Sequence, residues 1–207
     1  MKSLIILPSY NEARNVEKII SALKATCKES NILVVDDNSS DGTARLVKNL
    51  QTRDKNLFLL KRPKKEGLGP AYIEAFKWAK ERAYDKILTM DCDFSHSPED
   101  AKKLLQKLDD YDFVVGSRYI NGIRIMNWSF KRLFLSYLAS IYIRIITRLP
   151  LLDPTGGFNG SNCKIKNSLF FDNTANEGSA IKLFVSDIDL INCTIVDNIS
   201  GSGIGQN

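Results

Sequence analysis

The chain is poor in the residues that build metal and disulfide frameworks. Its 207 residues hold one histidine, His96, and four cysteines, Cys27, Cys92, Cys163 and Cys193, with no CxxC pair among them. That disfavours a zinc site and suits free thiols in a reducing compartment. Long apolar runs are also missing. The most apolar segment, residues 125–152, is interrupted by Lys131, Arg132, Arg144 and Arg148. Its longest charge-free stretch, Leu133–Ile143, is well short of the roughly 20 residues that span a bilayer. At the N-terminus Leu4-Ile5-Ile6-Leu7 runs straight into Pro8, which reads as a buried strand and not as a signal peptide. Strong charge bias is absent: 29 basic against 24 acidic residues leave +5. Such an excess suits anionic small ligands and does not call for nucleic acid. It is uneven, however. Three lysines against five acids put residues 159–207 at −2, so the first 158 residues carry +7.

What is present is a regular alternation of short apolar runs and helical patterns. Strands are predicted at Leu4–Leu7, Ile32–Val35, Leu57–Leu60, Lys86–Met90 and Phe113–Gly116. Helices are predicted over 12–26, 43–51, 69–83 and from Pro98 to about Leu108, with Asp41 capping the second. This is an α/β chain with a mostly parallel sheet and helices on both faces, whose ligands gather beyond the carboxyl ends of the strands. Residues 125–152 read either as a basic amphipathic segment lying on a membrane or as a pair of core helices. From about residue 159 Gly, Asn, Ser and Asp take over. Asn167–Asn173 aligns with Asn192–Asn198 at an offset of 25 residues. Short β-rich units at such a period resemble right-handed parallel β-helix repeats, about two coils of them. Hence the expected division is 1–158 and 159–207.

The strand ends carry the chemistry. Asp36-Asp37 closes the second strand, placing carboxylates where they can accept from a base N–H or a ribose hydroxyl. Asp91-Cys92-Asp93 follows the fourth, and acids at i and i+2 in such a turn can converge on Mg2+ or Mn2+. His96 is expected to support this loop by hydrogen bonding and not to ligate. Gly67-Leu68-Gly69 opens a helix after the basic run Lys61–Lys65, a spacing that is neither a P-loop nor a dinucleotide fingerprint. Arg118 follows the fifth strand, placed to meet an anion, and Lys131 and Arg132 are further phosphate candidates.

Taken in order, Pro8-Ser9-Tyr10-Asn11-Glu12, Asp36–Thr43, Gly67-Leu68-Gly69, Asp91–His96, Gly116-Ser117-Arg118-Tyr119, Trp128-Ser129 and Asp153–Phe158 resemble a family 2 glycosyltransferase. The nearest branch is the dolichyl- or polyprenyl-phosphate mannose synthases. The resemblance implies a GT-A (nucleotide-diphospho-sugar transferase) fold and a nucleotide-sugar donor, GDP-mannose by analogy. It implies that Pro8, Tyr10 and Glu12 line the nucleotide site, that Asp37 holds the base or ribose, and that Asp91 and Asp93 bind the metal. Arg118 and Arg132 would contact phosphates, and Asp153 would sit by the sugar or acceptor. Asp93, Arg118 and Asp153 are thus the expected catalytic set. Ser95 stands where the family often has a metal-ligating Gln. An anionic lipid phosphate as acceptor needs no strong general base, in keeping with one histidine. The expected location is peripheral, at the cytoplasmic face of a membrane. After Phe158 the family's next helix, acidic strand and basic Ser-Lys loop are not recognisable, and the chain reads there as a transferase cut short. A non-catalytic nucleotide-sugar or membrane-surface binding protein is the competing reading.

Overall fold

The computed structural model describes residues 1–117 and 157–166, with short pieces elsewhere: 138–139, 141–142, 145, 169–171, 174–175, 189–191, 194–196 and 199–200. Nine elements make up the first 117 residues. They are β1 (Ser3–Ser9), α1 (Val16–Thr26), β2 (Asn31–Asp36), α2 (Thr43–Gln51), β3 (Leu57–Lys61), α3 (Leu68–Glu81), β4 (Lys86–Thr89), α4 (Pro98–Lys107) and β5 (Phe113–Val115). A tenth, β6 (Asn159–Asn162), completes a six-stranded sheet in the order β3-β2-β1-β4-β6-β5. β1, β2, β3 and β4 pair in parallel, while β6 runs antiparallel to both β4 and β5.

The apolar runs of β1 and β2 are continuous because both faces of the sheet are covered. Alternate residues serve alternate cores. Ile5, Leu7, Ile32, Val34 and Leu88 pack with Val16, Ile19, Ile20 and Leu23 of α1, Val47 of α2 and Ala101 and Leu105 of α4. Leu4, Ile6, Leu33, Val35 and Ile87 pack on the other side against α3. That helix presents Ala71, Ala75 and Ala79, spaced four apart, so its backbone lies close to the sheet while Tyr72, Phe76 and Trp78 flank the contact.

Three expectations change. The first helix starts at Val16 and not at residue 12, since Asn11 is left-handed (φ 58) and residues 11–13 are bonded elsewhere. Asp41 is not the N-cap of α2: Gly42 is, at φ 93, and Asp41 Oδ1 accepts instead from the Thr43 N–H and hydroxyl. The segment after Phe158, expected to open a second unit, supplies β6 to the main sheet. Asn-Gly-Ser-Asn has no apolar alternation to announce a strand. It is held by backbone pairing on both edges and by the small size of Gly160, where a Cβ would stand 2.9 Å from Val114 Cγ2 and 3.0 Å from Leu108 Cδ1. Beyond it lie β7 (Lys164–Lys166), β8 (Leu169–Phe171), β9 (Thr174–Ala175), β10 (Asp189–Ile191), β11 (Thr194–Val196) and β12 (Ile199–Ser200). They form parallel two-stranded ribbons in which Lys164 meets Asp189, Leu169 meets Thr194 and Thr174 meets Ile199.

Candidate functional site

The carboxyl ends of β1, β2 and β4 converge on one cavity of about 300 Å³. Each of the three strand ends is followed by a sharp turn through a left-handed residue: Asn11 (φ 58), Asn38 (φ 59) and Phe94 (φ 62). For a phenylalanine that conformation is strained, and it bends the chain so that the Ser95 N–H meets Asp93 Oδ1 at 2.9 Å. The turns after β1 and β2 are laced together. Asn11 N–H donates to Ser39 Oγ, Glu12 N–H to Thr43 Oγ1, Ala13 N–H to Asp41 Oδ2, and Ser40 N–H to Asn11 Oδ1. Four bonds thus fix two sequence-distant loops as one wall.

Pro8, Tyr10, Glu12, Asp37, Asp91 and Asp93 all line this cavity, together with Gly67 of the Gly-Leu-Gly turn. The two acids of Asp36-Asp37 part company. Asp36 is fully buried and accepts from Ser39 N–H, whereas Asp37 faces the cavity. Arg118, Arg132 and Asp153 lie outside the described residues. The end of the Asp153–Phe158 motif does reach the site. Thr89 Oγ1 donates to Gly157 O at 2.9 Å, and a Cβ on Gly157 would lie 3.8 Å from Asp91 Oδ1.

Two residues were overlooked as functional candidates, Arg62 and Lys65. Arg62 is 1% exposed and its guanidinium holds three carboxylates: Asp37 at 2.6 Å, Glu74 at 2.8 Å and Glu66 at 3.0 Å. It therefore ties the end of β2 to α3 and to the loop between β3 and α3, from behind the cavity wall. A Lys/Arg run reads as a solvated patch. Glu66 and Glu74, four and twelve residues on, were the available signal. Lys65 reaches the wall itself, with Nζ 3.8 Å from the Tyr10 ring centroid.

The electrostatics differ across the cavity. Partial burial pushes the Asp93 carboxyl up, but the Ser95 side chain and N–H, with His96 beyond them, outweigh it and hold the group below the usual carboxylate range. Burial, with Glu12, Asp93 and Asp91 nearby, pushes the Cys92 thiol up to about 12, so it is no nucleophile at neutral pH. His96 takes the Asp91 N–H on Nδ1 at 3.4 Å, lies 3.9 Å from Asp91 Oδ2, and stacks on Phe158 with ring centroids 4.6 Å apart. It props the turn.

The site suits a hard divalent cation. Asp91 and Asp93 offer oxygen ligands on one wall, and no group of three or more His, Cys, Asp or Glu forms a metal site among the described residues. Two carboxylates match an ion that completes its shell from phosphate oxygens and water.

A doubly covered, mostly parallel sheet with acids at two strand ends around one hollow is the arrangement of the GT-A nucleotide-sugar transferase fold. The glucosyl-3-phosphoglycerate synthase of Mycobacterium tuberculosis, solved with Mn2+, UDP and glucosyl-3-phosphoglycerate, shares the fold at a TM-score of 0.56 and 16% identity, over 98% of this chain and 73% of that one. The chain belongs to glycosyl transferase family 2, whose model matches residues 4–170 and so runs past Phe158 through β6. It is 36% identical over 178 residues to the undecaprenyl-phosphate mannosyltransferase of Micrococcus luteus, covering 86% of this chain and 73% of that protein. It is 38% identical over 159 residues to the polyprenol monophosphomannose synthase of Mycolicibacterium smegmatis, covering 76% and 60%.

Proposed function

We propose that the chain transfers mannose from a nucleotide sugar, GDP-mannose, to a polyprenyl phosphate, with inversion at the sugar carbon. One observation carries the reading: Asp37 and the Asp91/Asp93 pair open into the same cavity. Family membership and the two mannosyltransferases it resembles support the sugar and the lipid. Asp37, paired with Arg62 at 2.6 Å, accepts from the nucleoside, and Tyr10 offers a ring in the same cavity wall. Asp91 and Asp93 would hold Mg2+ or Mn2+, which when bound neutralises charge developing on the leaving diphosphate. The sulfhydryl of Cys92 stays protonated, and His96 is engaged in propping the turn, so the described residues offer no strong base. An acceptor that is already an anion requires none. Arg118 and Arg132 are proposed to hold the two phosphates together and Asp153 to meet the sugar or acceptor.

No helix among the described residues is long and apolar enough to cross a membrane. Leu138, Tyr142 and Ile145, each helical, are 44%, 66% and 71% exposed. Exposed apolar side chains of this kind support contact with a lipid surface, at the cytoplasmic face by the family's example. The ribbons of residues 164–200, paired 25 residues apart, support two coils of β-helix following the transferase part. The test is transfer of radiolabelled mannose from GDP-mannose to a polyprenyl phosphate with and without Mn2+. Labelled lipid formed only with the cation is expected. Donor binding with no transfer would replace the enzyme by a binding protein.

A further inference from the structure

The Asp153–Phe158 motif ends in a side chain that the transfer reading leaves unused. Phe158 is buried, and its backbone is pinned from two sides. Gly116 N–H donates to Phe158 O at 2.8 Å, and Thr89 Oγ1 donates to Gly157 O just before it. One edge of the ring fills the place of a side chain at Gly116, where a Cβ would collide with Phe158 Cδ1. Its face lies against His96, with the centroids 4.6 Å apart and the planes 16° from parallel. The imidazole in turn meets Asp91 twice, taking the peptide N–H on Nδ1 and standing 3.9 Å from Oδ2. The other carboxylate oxygen, Oδ1, lies toward Gly157, next to Phe158 in the chain. Torsion alone does not set the plane of a histidine ring, because χ2 is soft. A nearly parallel aromatic neighbour does.

We propose that Phe158 is a positioning residue for the turn after β4: its ring fixes the plane of His96, and His96 in that plane fixes Asp91 as a cation ligand. The inference rests on the reading of Asp91 as a metal-binding acid in a nucleotide-sugar site. Phe158 does not line the cavity and acts only through the imidazole. Without the stack the ring is free to tilt. The 3.4 Å bond from the Asp91 N–H then loses its alignment, and the carboxylate is no longer held toward the cavity. Supporting contacts of this kind carry about ten- to a hundredfold in metal affinity. The last residue of one motif is thereby tied to the first acid of another, 67 positions earlier in the chain.

Two measurements on the full chain test this. One is Mn2+ affinity with GDP present, by electron paramagnetic resonance. The other is the nuclear magnetic resonance signal of the imidazole, unambiguous because His96 is the one histidine. Phe158→Met, which keeps an apolar side chain, should weaken Mn2+ about tenfold or more and shift the His96 ring signals, with metal-free GDP binding unchanged. His96→Phe, which keeps a stack but loses the acceptor, should weaken Mn2+ by a like factor. The double variant should lose no more than either single one, since both break the same link. Full Mn2+ affinity in Phe158→Met would overturn the proposal, as would losses that multiply in the double variant. In the unaltered protein, Mg2+ added with GDP should shift the His96 ring signals. Signals that stay in place would overturn the proposal even where Phe158→Met does not fold. Absence of any Mn2+ binding by the unaltered protein would remove the metal reading of Asp91 along with it.

Discussion

The two ends of the cavity hold their acids in opposite ways. At the end proposed for the nucleoside, Asp37 has its counter-charge built into the fold, a buried guanidinium 2.6 Å away that serves two more carboxylates. At the end proposed for the diphosphate, Asp91 and Asp93 are set by a histidine ring and by a peptide N–H in a strained turn. The first acid is therefore part of the scaffold as well as of the site. The pair is proposed to receive a cation that arrives with the ligand. Structure and function are fused at one end of the hollow and separable at the other.

The contrast is broken or sharpened by substitution. Arg62→Met should have the largest effect, about 3 kcal/mol of stability lost in urea unfolding, because the buried Asp37 charge is left uncompensated. The half-exposed Glu66 and Glu74 add little to that figure. A loss under about 1 kcal/mol would mean that Arg62 is not a structural post. Asp91→Asn and Asp93→Asn should leave the unfolding midpoint nearly in place, yet lower Mn2+-dependent affinity for GDP-mannose by about tenfold or more. Unchanged affinity would remove the cation from that end. The smallest effect is expected from Asp41, on the laced wall. Slight burial pushes its carboxyl up, but bonds from the Thr43 hydroxyl and from the Ala13 and Thr43 N–H groups lower it overall. A depressed folded pKa gives stability that is present above the unfolded value near 3.9 and is lost as pH falls through the folded one. Asp41→Asn should thus remove less than about 1 kcal/mol at pH 7 and flatten that part of the acid limb below pH 4. An acid limb identical to that of the unaltered protein would contradict the lacing role.

Most of the sheet was legible because its strands are unbroken apolar runs set at strand–helix spacing, and α2 begins and ends where periodicity places it, Thr43–Gln51. The acids of the site were legible for a related reason: each stands directly after such a run. β6 was not, since Asn159–Asn162 carries none of the pattern and is a strand only by virtue of its neighbours. The start of α1 was misplaced because the residues before Val16 spend their N–H groups on a loop nearly thirty positions away.

Sequence alone therefore determined the parallel α/β core, both of its covered faces and the acids at the strand tips, because alternation and helical spacing are local and survive without knowledge of the partner. Only the tertiary structure decided that Asp36 is buried while Asp37 opens to the cavity, that Arg62 becomes a buried post, and that Lys65 turns to Tyr10. Those outcomes depend on which distant loops meet, and a charged side chain in an unpatterned segment carries no local mark of the partner it will find.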